Sequence, residues 1–159
     1  MVRLGQRVCS ATYSSVRHVN MDGTKTGTPS DLDEIRKVAM DYAEGWYTGD
    51  PDRMARACHD DLVKRTLIRT ENRDGWTSGP VSTKSAMVSW TAEGGGSQLG
   101  DDLEYDIEVL DVFRDIASVR CLSAEYVDYL HLARFGDAGW QILNVLWQLR
   151  EGEFVPSTG

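Results

Sequence analysis

The chain has 159 residues, 41% of them hydrophobic and 26% charged, which suits one globular domain and argues against both a disordered and a membrane-spanning class. Its 25 acids against 17 bases leave a net charge of -8, the wrong sign for gripping phosphate backbones, so nucleic acid is not an expected partner. No apolar run approaches the roughly 20 residues of a membrane span, so no membrane partner is expected either.

Residues 1–30 are poor in large apolar side chains and end in "MDGTKTGTPS", a Gly-, Thr-, Pro- and Ser-rich stretch that reads as a poorly ordered arm. Met21 reads as a candidate alternative start of translation. Arg3 and Arg7 are not followed by a continuous apolar segment, so a secretory signal is not expected. Cys9, Cys58 and Cys121 are odd in number and widely spaced, which predicts free thiols in a reducing cytoplasm rather than disulfides or a zinc site.

Ser30 is the expected cap of a long first helix, whose Leu32, Ile35, Ala39, Tyr42 and Trp46 recur on one face while Asp33 and Lys37 can pair on the other. Gly49 stops it. Asp50 then caps a short second helix starting at Pro51, with Met54, Ala57 and Cys58 as its apolar stripe. "LVKRTLIRT" (62–70) reads as a strand and "ENRDGWTSGP" (71–80) as a loop. A third helix fits "STKSAMVSWTAEGGG", capped by Ser82 or Thr83, with Met87 and Trp90 buried together and the glycines from Gly94 ending it.

Beyond Gly100 the period falls to two. "LEYDIEVLDVF" (103–113), the long run "ASVRCLSAEYVDYLHLARF" (117–135) and "WQILNVLWQLRE" (140–151) predict an antiparallel meander of three strands, with a bulge or bend inside the long one. Three helices, one early strand and this meander give an α+β class, with helices on one face of a curved sheet over residues 31–152 and a tail at 153–159.

The motifs "DYAEGWYTGD" (41–50), "RMARACHDDLVKR" (53–65), "WTAEGGG" (90–96), "IEVLDVFRDIASVR" (107–120), "SAEYVDYLHLAR" (123–134) and "WQILNVLW" (140–147) together resemble the SnoaL-like, "putative lumazine-binding" family of the nuclear transport factor two-like superfamily. The resemblance spans about residues 31–151. It implies a cone-shaped α+β barrel, usually a homodimer, with a small-molecule pocket between the sheet's concave face and the helices. The superfamily includes cofactor-free isomerases, dehydratases and polyketide cyclases beside non-catalytic domains, so the fold does not choose among them. The family commonly has proline after the histidine of "CHDDL", where this chain has Asp60. No flavin- or phosphate-binding loop is visible, and no cofactor is expected.

Six groups of polar or aromatic residues are weighed as candidates for a site. His59 at the end of the second helix suits capping of its last carbonyls, and could act as a base if it faced the pocket. Consecutive Asp60 and Asp61 point in different directions, and with His18 and His131 distant in sequence a metal site is not expected. In "EYVDYLHL", alternation puts Tyr126 and Asp128 on one face and Tyr129 and His131 on the other, so at most one of Asp128 and His131 faces the pocket as a general acid or base. Asp128 is otherwise a surface residue or a partner for an arginine such as Arg120. Asn144 shares a face with Trp140, Ile142 and Leu146, which predicts a buried amide bonded to backbone or ligand.

Tyr42, Trp46 and Trp90 read as core, pocket lining or both. Lys64 and Arg65 read as solvated or paired with edge acids, with an anionic ligand group as the other reading. A small apolar or aromatic ligand held by Tyr42, Trp46, Trp90, Tyr126 and Asn144 is the first functional reading. An isomerase, dehydratase or cyclase using Asp128 or His131 is the alternative.

Overall fold

The computed structural model describes residues 27–70, 74–100 and 103–155; most of the arm expected at 1–30, with Cys9, His18 and Met21, lies outside them. Helix α1 spans Pro29–Thr48. It starts earlier than the Ser30 expectation because Thr28 forms a capping box with Asp31: the Thr28 hydroxyl accepts from the Asp31 N–H (3.2 Å) and Asp31 accepts from the Thr28 N–H (2.8 Å). Pro29 then takes the first helical position, where its missing N–H costs nothing. Gly49, at φ 65°, ends the helix in the left-handed conformation.

Ile35, Ala39 and Tyr42 of the expected stripe are buried and Leu32 and Trp46 pack beside them. The expected Asp33–Lys37 pair does not form. Lys37 reaches Asp41 instead (2.8 Å), a buried carboxylate that Arg53 also holds (3.0 Å), and Asp33 faces Arg36. A desolvated acid is the stronger partner for the same ammonium.

Helix α2 spans Pro51–Ala57, with both Asp52 and Arg53 N–H groups donating to the Asp50 carboxylate at 3.0 Å. Helix α3 spans Lys84–Ala92 and is capped by Thr83. Among the described residues, six strands follow the order β2-β1-β6-β5-β4-β3: β1 is Cys58–Arg69, β2 Trp76–Ser78, β3 Asp106–Phe113, β4 Ile116–Leu122, β5 Tyr126–Arg134 and β6 Trp140–Leu149. All neighbours are antiparallel except β1 and β6, which run parallel. The three helices pack on one face of this curved, unclosed sheet, and the core of Ile35, Met54, Leu62, Val119, Leu130 and Ile142 lies between.

Two expectations about the sheet are corrected. The loop predicted at 71–80 contains the short edge strand β2, paired to β1 through Leu67 and Ser78. The run 117–135 is two strands rather than one bent strand, so the meander has four strands. Its turn carries no glycine or proline; the Ser123 N–H closes it on Tyr126 O (3.0 Å), and the Glu125 N–H donates to the Tyr47 hydroxyl of α1 (3.1 Å). A helix thus satisfies the backbone of a turn that its own sequence does not announce. Among the described residues, no helix is long and apolar enough to cross a membrane.

Candidate functional site

Strand β1 alternates from Leu62 onward, which turns Lys64 and Thr66 inward with Leu62 and leaves Arg65 and Leu67 outside. Lys64 is consequently 8% exposed, not solvated as the sequence suggested. Strand β5 turns Asp128 inward too, at 3% exposure, because it alternates with buried Leu130 and Leu132. Helix α1 delivers Tyr42 from the opposite wall.

These three side chains form one cluster. The Lys64 ammonium donates to the Tyr42 hydroxyl (2.5 Å) and to Asp128 Oδ1 (3.3 Å), and the Tyr42 O–H donates to the same Oδ1 (3.0 Å). An ammonium this far from water needs a counter-charge, and Asp128 supplies it. Further compensation comes from ring faces: Lys64 Nζ lies 5.1 Å from the Tyr42 centroid, 5.7 Å from Tyr126 and 5.2 Å from Trp147.

Two chambers adjoin this cluster, sharing Trp46, Lys64, Met87 and Tyr126 as walls. The inner one, beside Tyr42, Cys121 and Asp128, has about 20 Å³, room for about one water. The outer one has about 390 Å³ and is bounded by Trp90, Trp147 and Phe154. Tyr126 stands edge-on to both Trp46 (6.5 Å between centroids) and Trp147 (5.3 Å), and Phe154 edge-on to Trp147 (5.0 Å). Phe154 is brought there by a chain segment that the Arg69–Glu153 ion pair (2.9 Å) ties to β1.

Burial keeps the hydroxyls neutral. It pushes Tyr42 well above the usual phenol range, with the negative charge of Asp128 adding to the effect. Tyr126 is pushed up to about 12, first by burial and then by Glu125. Burial likewise raises the Cys121 thiol to about 12, Asp128 again reinforcing it. At neutral pH the Tyr42 and Tyr126 hydroxyls and the Cys121 thiol are therefore protonated.

Of the residues expected at a site, Tyr42, Trp46, Trp90, Tyr126 and Asp128 are brought together at the two chambers. Trp90 is 45% exposed at the outer chamber rather than buried with Met87. His131 and Asn144 are elsewhere: they border a depression of about 300 Å³ with Phe113, Ile116 and Ser118. For Asn144 the cause is a β-bulge. His131 pairs with Asn144 but the next residue, Leu132, pairs with Ile142, so Leu143 is an extra residue and the parity of β6 inverts there. Ile142 and Val145 face inward and Asn144 does not.

His59 does not cap α2. That helix ends at Ala57, the Cys58 N–H donates to Met54 O, and β1 begins at once. His59 stacks on Phe135 (3.9 Å between centroids, 15° between planes) and accepts the Asp61 N–H at Nδ1 (3.1 Å). Asp128 meets neither solvent nor Arg120, whose guanidinium pairs with Glu108 (2.8 Å). Sequence reasoning did not propose Trp147 and Phe154 for the site, and it missed the inward placement of Lys64, whose signal was present: the period of two that buries Leu62 carries Lys64 to the same face. Among the described residues, no group of three His, Cys, Asp or Glu side chains is arranged to hold a metal ion.

No curated protein matches this chain in sequence. Solved structures match in fold: an NTF-2 like protein of unknown function from Silicibacter pomeroyi (TM-score 0.61, 15% identity, covering 78% of this chain and 100% of that one), and an NTF2-like protein of unknown function from Methylobacillus flagellatus (0.60, 18%, 79% and 96%). A ketosteroid isomerase-like protein from Erwinia carotovora atroseptica is similar at TM-score 0.55 and 18% identity, over 79% of this chain and 100% of that one. At such identities these likenesses establish the fold alone. The profile of the family described as "Putative lumazine-binding" matches residues 30–148, and the chain belongs to that family, an NTF2-like α+β domain.

Proposed function

We propose that the protein binds a small aromatic or apolar molecule in the outer chamber, with one end of the ligand at Lys64. The observation that carries this reading is the chamber itself. Its volume of about 390 Å³ falls within the roughly 300–1,000 Å³ of small-molecule sites, and it combines largely apolar walls with a few polar groups, Lys64, Thr66 and Ser82, as such sites do. Trp46, Trp90, Tyr126, Trp147 and Phe154 supply flat surfaces, so a planar ring system is the favoured shape.

The test is a fluorescence titration, since three tryptophans border the space. Planar aromatic compounds such as 2-substituted naphthalenes are expected to quench tryptophan emission saturably and to raise the melting temperature. Replacement of Trp147 by alanine should weaken binding about tenfold or more. Failure of a broad aromatic panel to bind, or a structure with the chamber filled by the protein's own side chains, would sink the idea.

A proton-transfer enzyme using Asp128 is the second reading, favoured by one observation: the carboxylate faces inward within 3.0 Å of the Tyr42 hydroxyl. Against it, Asp128 is paired with Lys64 and borders the small inner chamber rather than the large one. Deuterium uptake from D2O at the enolisable carbon of a bound ketone, abolished by Asp128→Asn, would favour the enzyme. No uptake would leave the binding reading alone. The same proposal includes self-association through the outer sheet face, argued below.

A further inference from the structure

The polar end of the cavity has a charge balance that bears on which ligand fits it. We infer that this site selects uncharged aromatic molecules carrying a carbonyl or similar acceptor oxygen, and discriminates against carboxylates of the same shape. The inference rests on the binding reading above and deepens it.

Lys64 has three N–H donors. The Tyr42 oxygen and Asp128 Oδ1 take two of them, and among the described residues no third acceptor bonds to Nζ. The rest of its surroundings is the faces of Tyr42, Tyr126 and Trp147, which attract a cation but leave a directional donor unused. A ligand oxygen in the shared part of the two chambers would complete the ammonium's coordination. The Tyr42 hydroxyl is already committed, donating to Asp128 and accepting from Lys64.

Charge then decides what kind of oxygen. One ammonium and one carboxylate 3.3 Å apart sum to zero, and the remaining walls named above are neutral. A carbonyl meets a donor without bringing a charge into the cavity. A carboxylate would have to shed its hydration, meet a cation whose charge is already matched, and sit near a second carboxylate. A protein with net charge -8 adds a long-range penalty of the same sign. Asp128 is in this view a positioning residue that keeps Lys64 available as a donor while cancelling its charge.

Three probes of one ring system test this: 2-acetylnaphthalene, 2-naphthoate and 2-ethylnaphthalene, titrated into the full chain and read by tryptophan quenching. The ketone is expected to bind about tenfold tighter than either of the other two, one lacking the acceptor and one carrying the charge. Asp128→Asn uncovers the ammonium, and 2-naphthoate should then overtake the ketone. The paired change Lys64→Met with Asp128→Leu removes both charges, and should erase the preference for ketone over ethyl while the ethyl compound still binds. The wild-type ranking needs no variant to fold. If 2-ethylnaphthalene binds but the ketone gains nothing, or the carboxylate binds best to the wild type, the selectivity is overturned and the binding site stands. If none of the three binds, both fall.

Discussion

Lys64 and Asp128 depend on one another, and the dependence has a measurable consequence. Methionine in place of Lys64 alone leaves a carboxylate buried with only the Tyr42 hydroxyl as donor, which is expected to cost roughly 3–5 kcal/mol in urea unfolding. Leucine at Asp128 together with methionine at Lys64 removes both charges and should cost far less than the sum of the single changes. Additive costs in that cycle would show that the two side chains do not act as a pair. Asp31 is another buried acid, where Arg134 and Trp140 Nε1 join the Thr28 cap. Burial alone would raise its carboxyl, but those hydrogen bonds and the Arg134 charge outweigh it and hold it below the ordinary 3.8. With the folded value depressed, its contribution is fully present above 3.8 and is lost as pH falls through the lower folded value. Melting temperature is therefore expected to fall more steeply below about pH 4 in the wild type than in Asp31→Asn. At this scale the sequence was only half legible. Asp128 and His131 were correctly assigned to opposite faces, but alternation fixes parity without saying which face is inside, and nothing local to Lys64 signals that Asp128, 64 residues later, will neutralise it.

The elements were easier to place than the joints between them. The caps Asp50 and Thr83 were readable because their partners lie two or three residues on, whereas at α1 the nearby Ser30 competed with Thr28 as a cap of the same local kind. Joints closed from a distance were not: the 123–125 turn depends on Tyr47, and the Leu143 bulge depends on how β6 registers with β5. The triple glycine shows both kinds at once. It was expected to end α3, and Glu93 caps that helix just before it. Its tighter constraint comes from α1, since the Gly96 N–H donates to Trp46 O (3.0 Å) and a Cβ on Gly96 would stand 2.6 Å from Tyr47 Cδ1. Gly96→Ala should therefore push α3's end away from α1, at about 1–3 kcal/mol by overpacking. Gly75, whose φ is outside the left-handed range and whose virtual Cβ meets nothing nearer than 3.9 Å, should lose less than about 1 kcal/mol on the same change. Equal urea midpoints for the two variants would contradict the close packing of α1 on the glycine run. Because Trp46 borders both chambers, the Gly96 variant should also weaken aromatic binding.

For the molecule as a whole, helical and two-residue periods were enough to predict an α+β domain with helices on one sheet face, because each element carries its own apolar pattern. The uncovered face of that sheet is where the proposed self-association belongs. Leu110, Phe113, Ile116, Tyr129 and Leu146 are each 40–59% exposed, and Tyr129 sits directly opposite Leu146 in the β5–β6 pairing. Around them Arg65, on β1 opposite Leu146, and Arg120, on β4 opposite Tyr129, extend the same row. An apolar centre with a charged margin is the composition of an isologous interface, in which each patch meets its own copy and acids can face arginines across the two-fold axis. Leu146→Lys places a charge in the middle of that row without touching the inner face, since its side chain is on the opposite side from Val145 and Trp147. The expected outcome in sedimentation at micromolar concentration is a dimer for the wild type and a monomer for Leu146→Lys, with aromatic quenching retained in both. A monomeric wild type would remove the dimer from the proposal. A monomeric variant that also lost its ligand would instead make the outer face necessary for the shape of the inner cavity, through the strands they share.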